Sequence, residues 1–137
     1  MKDLSIFLAT NGLIVLLLSS LAGLPLAKAL HRGTISTHWH LLHASGTSRG
    51  IMLIALAAII QFVALPFWQL CWASGLVTLF VWTSVLAMSL RALTGEKGFY
   101  TGGSLANRAA FVLYAVGTLA LPVGLVWIVI GLLSGVE

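Results

Sequence analysis

The sequence predicts an all-α fold, a four-transmembrane-helix bundle, on three observations. Hydrophobic residues fill 60% of the 137 positions and charged ones 7%; the mean hydropathy is +1.09; and the stretches 4–27, 50–90 and 109–136 carry no charged side chain. Seven Lys+Arg and three Asp+Glu are too few to coat a water-facing domain of this size, so the surface must face lipid.

One crossing takes roughly 20 apolar residues at 1.5 Å rise each. The first charge-free stretch therefore holds one helix, expected at 5–30. Met1-Lys2 and Ala27-Lys28-Ala29 give it a trace of a signal peptide. Its apolar run exceeds a signal h-region and Asp3 offsets the leading charge, so the segment is expected to remain as a span. The middle stretch is twice too long for one crossing, and Pro66, in Leu65-Pro66-Phe67-Trp68-Gln69, marks a turn between helices at 43–65 and 70–93. The last stretch gives a helix at 107–133. Nothing in 1–137 marks a second domain.

Lys28, Arg32, Arg49, Arg91, Lys97 and Arg108 flank the first and third connections, while Lys2 stands alone on the other side. The positive-inside rule then puts both connections in the cytoplasm and both termini outside. In a soluble chain such a basic balance would suggest nucleic acid; here it sets topology, and no nucleic-acid partner is expected. Trp39, Trp68, Trp72 and Trp127 fall near span ends, as interfacial belts require, whereas Trp82 falls mid-span. Gly117, Gly124 and Gly131 recur every seven residues and form a stripe for close helix packing against a partner in this chain or another. The glycine-rich segment 94–104 lacks a Walker lysine pattern and reads as a flexible connection. A single cysteine, Cys71, excludes an internal disulfide.

The four histidines lie within thirteen positions: His31, His38, His40 and His43. The first three are expected in the first connection as solvated boundary residues. His43 is expected at the entry of the second helix, followed by Gly46 and Gly50 at i+3 and i+7 on the same face. That face suits a flat cofactor such as haem, ligated by the imidazole with the glycines giving room for the porphyrin edge, and Arg49 could reach a propionate or an anionic substrate group. A packing face of the small-xxx-small kind, with a capping histidine, gives the same spacing. The first, third and fourth spans contain no histidine, so any haem has one helix-borne ligand. His38-Trp39-His40 with His43 offers nitrogens for zinc, but that spacing is no recognised zinc signature.

The stretch from His43 through Gly50 to Ile51-Met52-Leu53-Ile54-Ala55, together with Leu86-Ala87-Met88-Ser89-Leu90-Arg91-Ala92-Leu93-Thr94-Gly95, resembles the small four-helix membrane isomerases that include styrene oxide isomerase and hydroxylaminobenzene mutase. The resemblance implies a bacterial inner-membrane homo-oligomer, a trimer, with a haem b ligated by the histidine that His43 matches and lying near subunit interfaces. It implies ferric iron acting as a Lewis acid on a small hydrophobic substrate, turning an aryl epoxide into an aldehyde or an aryl hydroxylamine into an aminophenol. This chain departs from the isomerase pattern, with Arg49 where that pattern has asparagine and no tyrosine near Met88 or Ser89. Arg49, Trp82 and Ser84 are the candidate catalytic residues, and His43, Gly46, Gly50 and Arg49 the candidate cofactor-binding ones, with His43 as metal ligand. A non-catalytic haem-binding protein and a small transporter subunit are the alternatives; Asp3, Glu96 and Glu137 all lie outside the expected spans, against proton-coupled export.

Overall fold

The computed structural model describes residues 1–34, 36–98 and 100–135. Four helices follow in order: α1 (Lys2–His31), α2 (Thr37–Ile59), α3 (Phe67–Thr94) and α4 (Leu105–Ser134), with a 3-10 turn at Ile60–Phe62 closing α2. Each is long and apolar enough to cross a bilayer, as expected from the charge-free stretches. Pro66 immediately precedes α3, where its missing N–H costs nothing.

The second helix starts six residues earlier than its apolar pattern suggested. Thr37, His38, Trp39 and His40 already follow helical geometry, because helix starts tolerate polar side chains whose backbone N–H groups are unpaired anyway. His38 and His40 are therefore in the first turn of α2 and His31 ends α1, rather than all three lying in the connection. The same shift places Arg49 inside α2 instead of at its mouth. The charge bias at the basic end of the bundle then rests on Lys28, Arg32, Arg91, Lys97 and Arg108.

The helices pair as two hairpins, α1 with α2 and α3 with α4, that meet chiefly through α2 and α3. Lipid supplies no hydrophobic force between helices, so close packing rests on small residues. In the first hairpin Gly12 and Gly50 bring backbones together: a Cβ on Gly12 would stand 2.8 Å from the Gly50 carbonyl oxygen. In the second, a Cβ on Gly124 would stand 2.8 Å from the Ala73 carbonyl oxygen, and Gly117 faces Thr83 and Phe80. The partner of that glycine stripe is thus α3 of the same chain, with Gly131 continuing onto Val63 and Leu65. Twelve residues of α3 are buried, against six or seven on each other helix, so α3 is the core of the bundle.

The described residues of the glycine-rich connection are hydrogen-bonded to the start of α4. Gly95 ends α3 in the left-handed conformation, and Gly98 and Gly103 also have positive φ, which glycine adopts without strain. Buried Asn107 holds the loop: its Nδ2 donates to the carbonyls of Tyr100 and Gly102, both at 2.7 Å, and its Oδ1 accepts from the Gly98 N–H at 2.7 Å. Ser104 caps α4 through the Asn107 N–H and donates to Glu96 Oε1 at 2.7 Å.

Candidate functional site

His43 lies in the second turn of α2, against α1. Its Nδ1 is 2.7 Å from the backbone carbonyl oxygen of Ser19. A carbonyl can only accept, so Nδ1 carries the proton, and in the neutral ring the lone pair is on Nε2. The ring rests on Gly23, where a Cβ would come within 3.3 Å of it. Among the described residues the ring's hydrogen bond is the one at Nδ1, and Nε2 makes none. A histidine held by one nitrogen to a carbonyl and open at the other is the usual posture of a metal-ligating imidazole.

The Gly46/Gly50 strip packs against α1 instead of offering open room. Gly46 faces Ser19, and Gly50 faces Gly12 and Leu16, so the packing alternative describes what these glycines do in the chain. A cofactor edge does not fit between α1 and α2. The small side of α1, Gly12, Ser19 and Gly23 at seven- and four-residue spacing, was the missing half of the pattern, and it fixes the imidazole's bed.

Arg49 is six residues beyond His43, about 120° round the helix, and turns toward α3. Its guanidinium sits 5.2 Å from the centre of the Phe80 ring and Nη1 donates to the Ser45 carbonyl at 3.0 Å. Its Nε is buried with no hydrogen-bond partner. His43 and Arg49 therefore open on different faces of α2. Trp82 donates its indole N–H to Asn11 Oδ1 at 2.8 Å, joining α3 to α1, while Asn11 Nδ2 donates to the Phe7 carbonyl. Sequence reasoning missed Asn11; its only signal is an amide in an otherwise apolar first span. Ser84 is buried on α3, beside Thr83 at the Gly117 contact.

A second arginine is more deeply enclosed. Arg91, 7% exposed, donates from Nη1 to the Tyr114 hydroxyl at 3.1 Å and from Nε to the Glu96 carbonyl at 3.4 Å. Apolar grooves flank both regions. One, about 340 Å³, is lined by Leu18, Pro25, Trp39, Leu42, Val85 and Ser89; another, about 370 Å³, by Gly98, Phe111, Tyr114, Ala115, Thr118 and Leu119. No three His, Cys, Asp or Glu side chains converge among the described residues, so the histidines do not form a multi-ligand metal cage there.

These features define a class: a small four-span membrane protein presenting one oriented imidazole and apolar grooves of small-molecule size. The sequence matches the styrene oxide isomerase family over residues 5–133, nearly the whole chain, and the protein belongs to that family. No curated protein matches it.

Proposed function

We infer that the protein is a haem b-dependent membrane isomerase that rearranges a small hydrophobic molecule, an aryl epoxide to an aldehyde or an aryl hydroxylamine to an aminophenol. The observation carrying this reading is the His43 geometry: Nδ1 pinned to the Ser19 carbonyl at 2.7 Å and Nε2 open. Family membership supports the isomerase class. The donor set fits one-sided ligation, since α1, α3 and α4 bear no histidine other than His31 at the end of α1.

Bound at His43, ferric haem would supply a Lewis acid that polarises a substrate oxygen. The chain's own part is orientation and exclusion of water. The Ser19 carbonyl fixes the imidazole tautomer, the glycine seam fixes the ring's position, and the apolar groove of about 340 Å³ lined in part by Ala22 and Leu42 would admit an aryl substrate already dissolved in lipid. The setting is a bacterial inner membrane with the basic end of the bundle in the cytoplasm, both termini outside, and the chain in a homo-oligomer, a trimer by family resemblance.

The purified protein should show a Soret band that His43→Ala abolishes and His38→Ala leaves largely intact. The oxidised protein should convert an aryl epoxide or aryl hydroxylamine without oxygen or electron donor, and dithionite should suppress turnover. A requirement for reductant would indicate a redox protein, and a Soret band without turnover of either substrate class a non-catalytic haem protein. For orientation, a cysteine replacing Ser104, in a background lacking Cys71, should resist an impermeant thiol reagent on intact cells; rapid labelling reverses the topology.

A further inference from the structure

Arg49 lies near the middle of the helical segment Thr37–Phe62, which is long and apolar enough to cross a bilayer; a guanidinium within such a segment is expensive and by default marks function. The chain does little to satisfy it. Of its five N–H donors, Nη1 reaches the Ser45 carbonyl of its own helix, the cation faces the Phe80 ring, and Nε is buried with no acceptor. Neither described carboxylate is placed to help: Asp3 is in the first turn of α1 and Glu96 is in the α3–α4 connection, accepting from Ser104. By contrast, the same fold gives Arg91 the Glu96 carbonyl of the following loop and the Tyr114 hydroxyl of α4.

We propose that Arg49 anchors the carboxylate of an amphiphilic ligand inside the membrane. The planar guanidinium fork matches a carboxylate bidentately, and Phe80 beside it suits an apolar body on the ligand. A lipid phosphate suits the site less, because headgroups stay at the bilayer surface whereas Arg49 is about a dozen residues into its helix, roughly 18 Å from the helix start at 1.5 Å per residue. A carboxylic acid crosses the acyl region as its neutral form, which a phosphodiester cannot do. The carboxylate has two sources, a small fatty or aryl acid or the propionate of a bound porphyrin. The site depends on Arg49 and holds whether or not His43 ligates iron.

Two acid and ester pairs test it in phosphatidylcholine nanodiscs: carboxyl-¹³C laurate against methyl laurate, and haemin against its dimethyl ester. The wild-type protein should bind the acid of at least one pair about tenfold tighter than the ester, the size of one charge-assisted hydrogen-bonded contact. Arg49→Gln should remove that preference, and Arg49→Lys, which keeps the charge but loses the fork, should weaken it. Preference in the laurate pair assigns the site to a separate amphiphile; preference in the haemin pair assigns it to a propionate. Equal binding of acid and ester in both pairs overturns the proposal, as does a preference that survives Arg49→Gln. Should Arg49→Gln fail to fold, an undiminished preference in Arg49→Lys overturns it equally.

Discussion

At the basic end of the α3–α4 hairpin, polar side chains are consumed by the fold: Asn107 bonds three backbone groups, Ser104 caps a helix, and Arg91 is tied to Glu96 and Tyr114. In the α1–α2 hairpin the glycine seam does the structural work; Nε of Arg49 is buried without a partner, and Nε2 of half-buried His43 makes no hydrogen bond among the described residues. A buried polar group that meets its partners inside the chain is architecture, since leaving it unmet costs about 1–3 kcal/mol. An unmet guanidinium or imidazole, unlike the unmet hydroxyls of Ser19, Ser74 and Thr78, has a charge or a lone pair strong enough to hold a ligand. The division predicts that damage to the two hairpins will read out differently.

The largest stability effect should come from the first seam. Gly50→Val puts side-chain atoms where a Cβ alone would already stand 2.9 Å from the Gly12 carbonyl and 2.7 Å from Leu16. Backbones cannot yield as side-chain tips do, so a loss of about 3 kcal/mol is expected. Reversible unfolding in a mixed-micelle titration measures it, and the Soret band of the proposed haem should be lost in parallel because the His43 bed moves. Retention of the spectrum in a destabilised Gly50→Val would separate seam from site and break the comparison.

Asn107→Ala should come next, at about 2 kcal/mol, because it strands the Gly98 N–H and frees the Tyr100 and Gly102 carbonyls. Here the spectrum should persist, since no hydrogen bond of Asn107 among the described residues reaches α1 or α2. Trp82→Phe removes the single bond to Asn11; interhelical hydrogen bonds in membranes average about 0.6 kcal/mol, so the loss should be about 1 kcal/mol or less. A collapse of activity in Trp82→Phe with stability intact would give Trp82 the catalytic role expected from the sequence.

Much of this was legible in the sequence. Charge-free stretches and Pro66 gave four spans because lipid forbids charge so strongly that its absence is a ruler. The Gly117/Gly124/Gly131 stripe announced a close-packed face, and α3 of the same chain fills it. The start of α2 was missed because His38, Trp39 and His40 break the apolar pattern without breaking the helix, and that error carried Arg49 from the interior of a span to its edge. Gly46 and Gly50 were ambiguous in principle: a bare strip admits a porphyrin or a neighbouring helix equally well, and only the position of α1 decides. Asn107 and Asn11 carry no motif; a lone amide declares itself only through the groups it finds in space.

The smallest expected effect is the sharpest probe of the His43 geometry. Ser19 contributes two oxygens at the seam: its backbone carbonyl accepts from His43, while its Oγ faces Gly46 and is buried without a partner. Ser19→Ala removes the second and keeps the first. Deleting an unsatisfied hydroxyl leaves no stranded partner, so stability should stay within about 0.5 kcal/mol of wild type or rise slightly. The haem spectrum should be unchanged, because the imidazole is pinned by the main chain. Gly23→Val, one turn on, bonds to nothing that Ser19 bonds, yet it presses on the ring from a Cβ position 3.3 Å away, and it should shift or weaken the Soret band. If instead Ser19→Ala alters the spectrum and Gly23→Val does not, the hydroxyl takes part in orienting His43, and the carbonyl alone does not fix the tautomer.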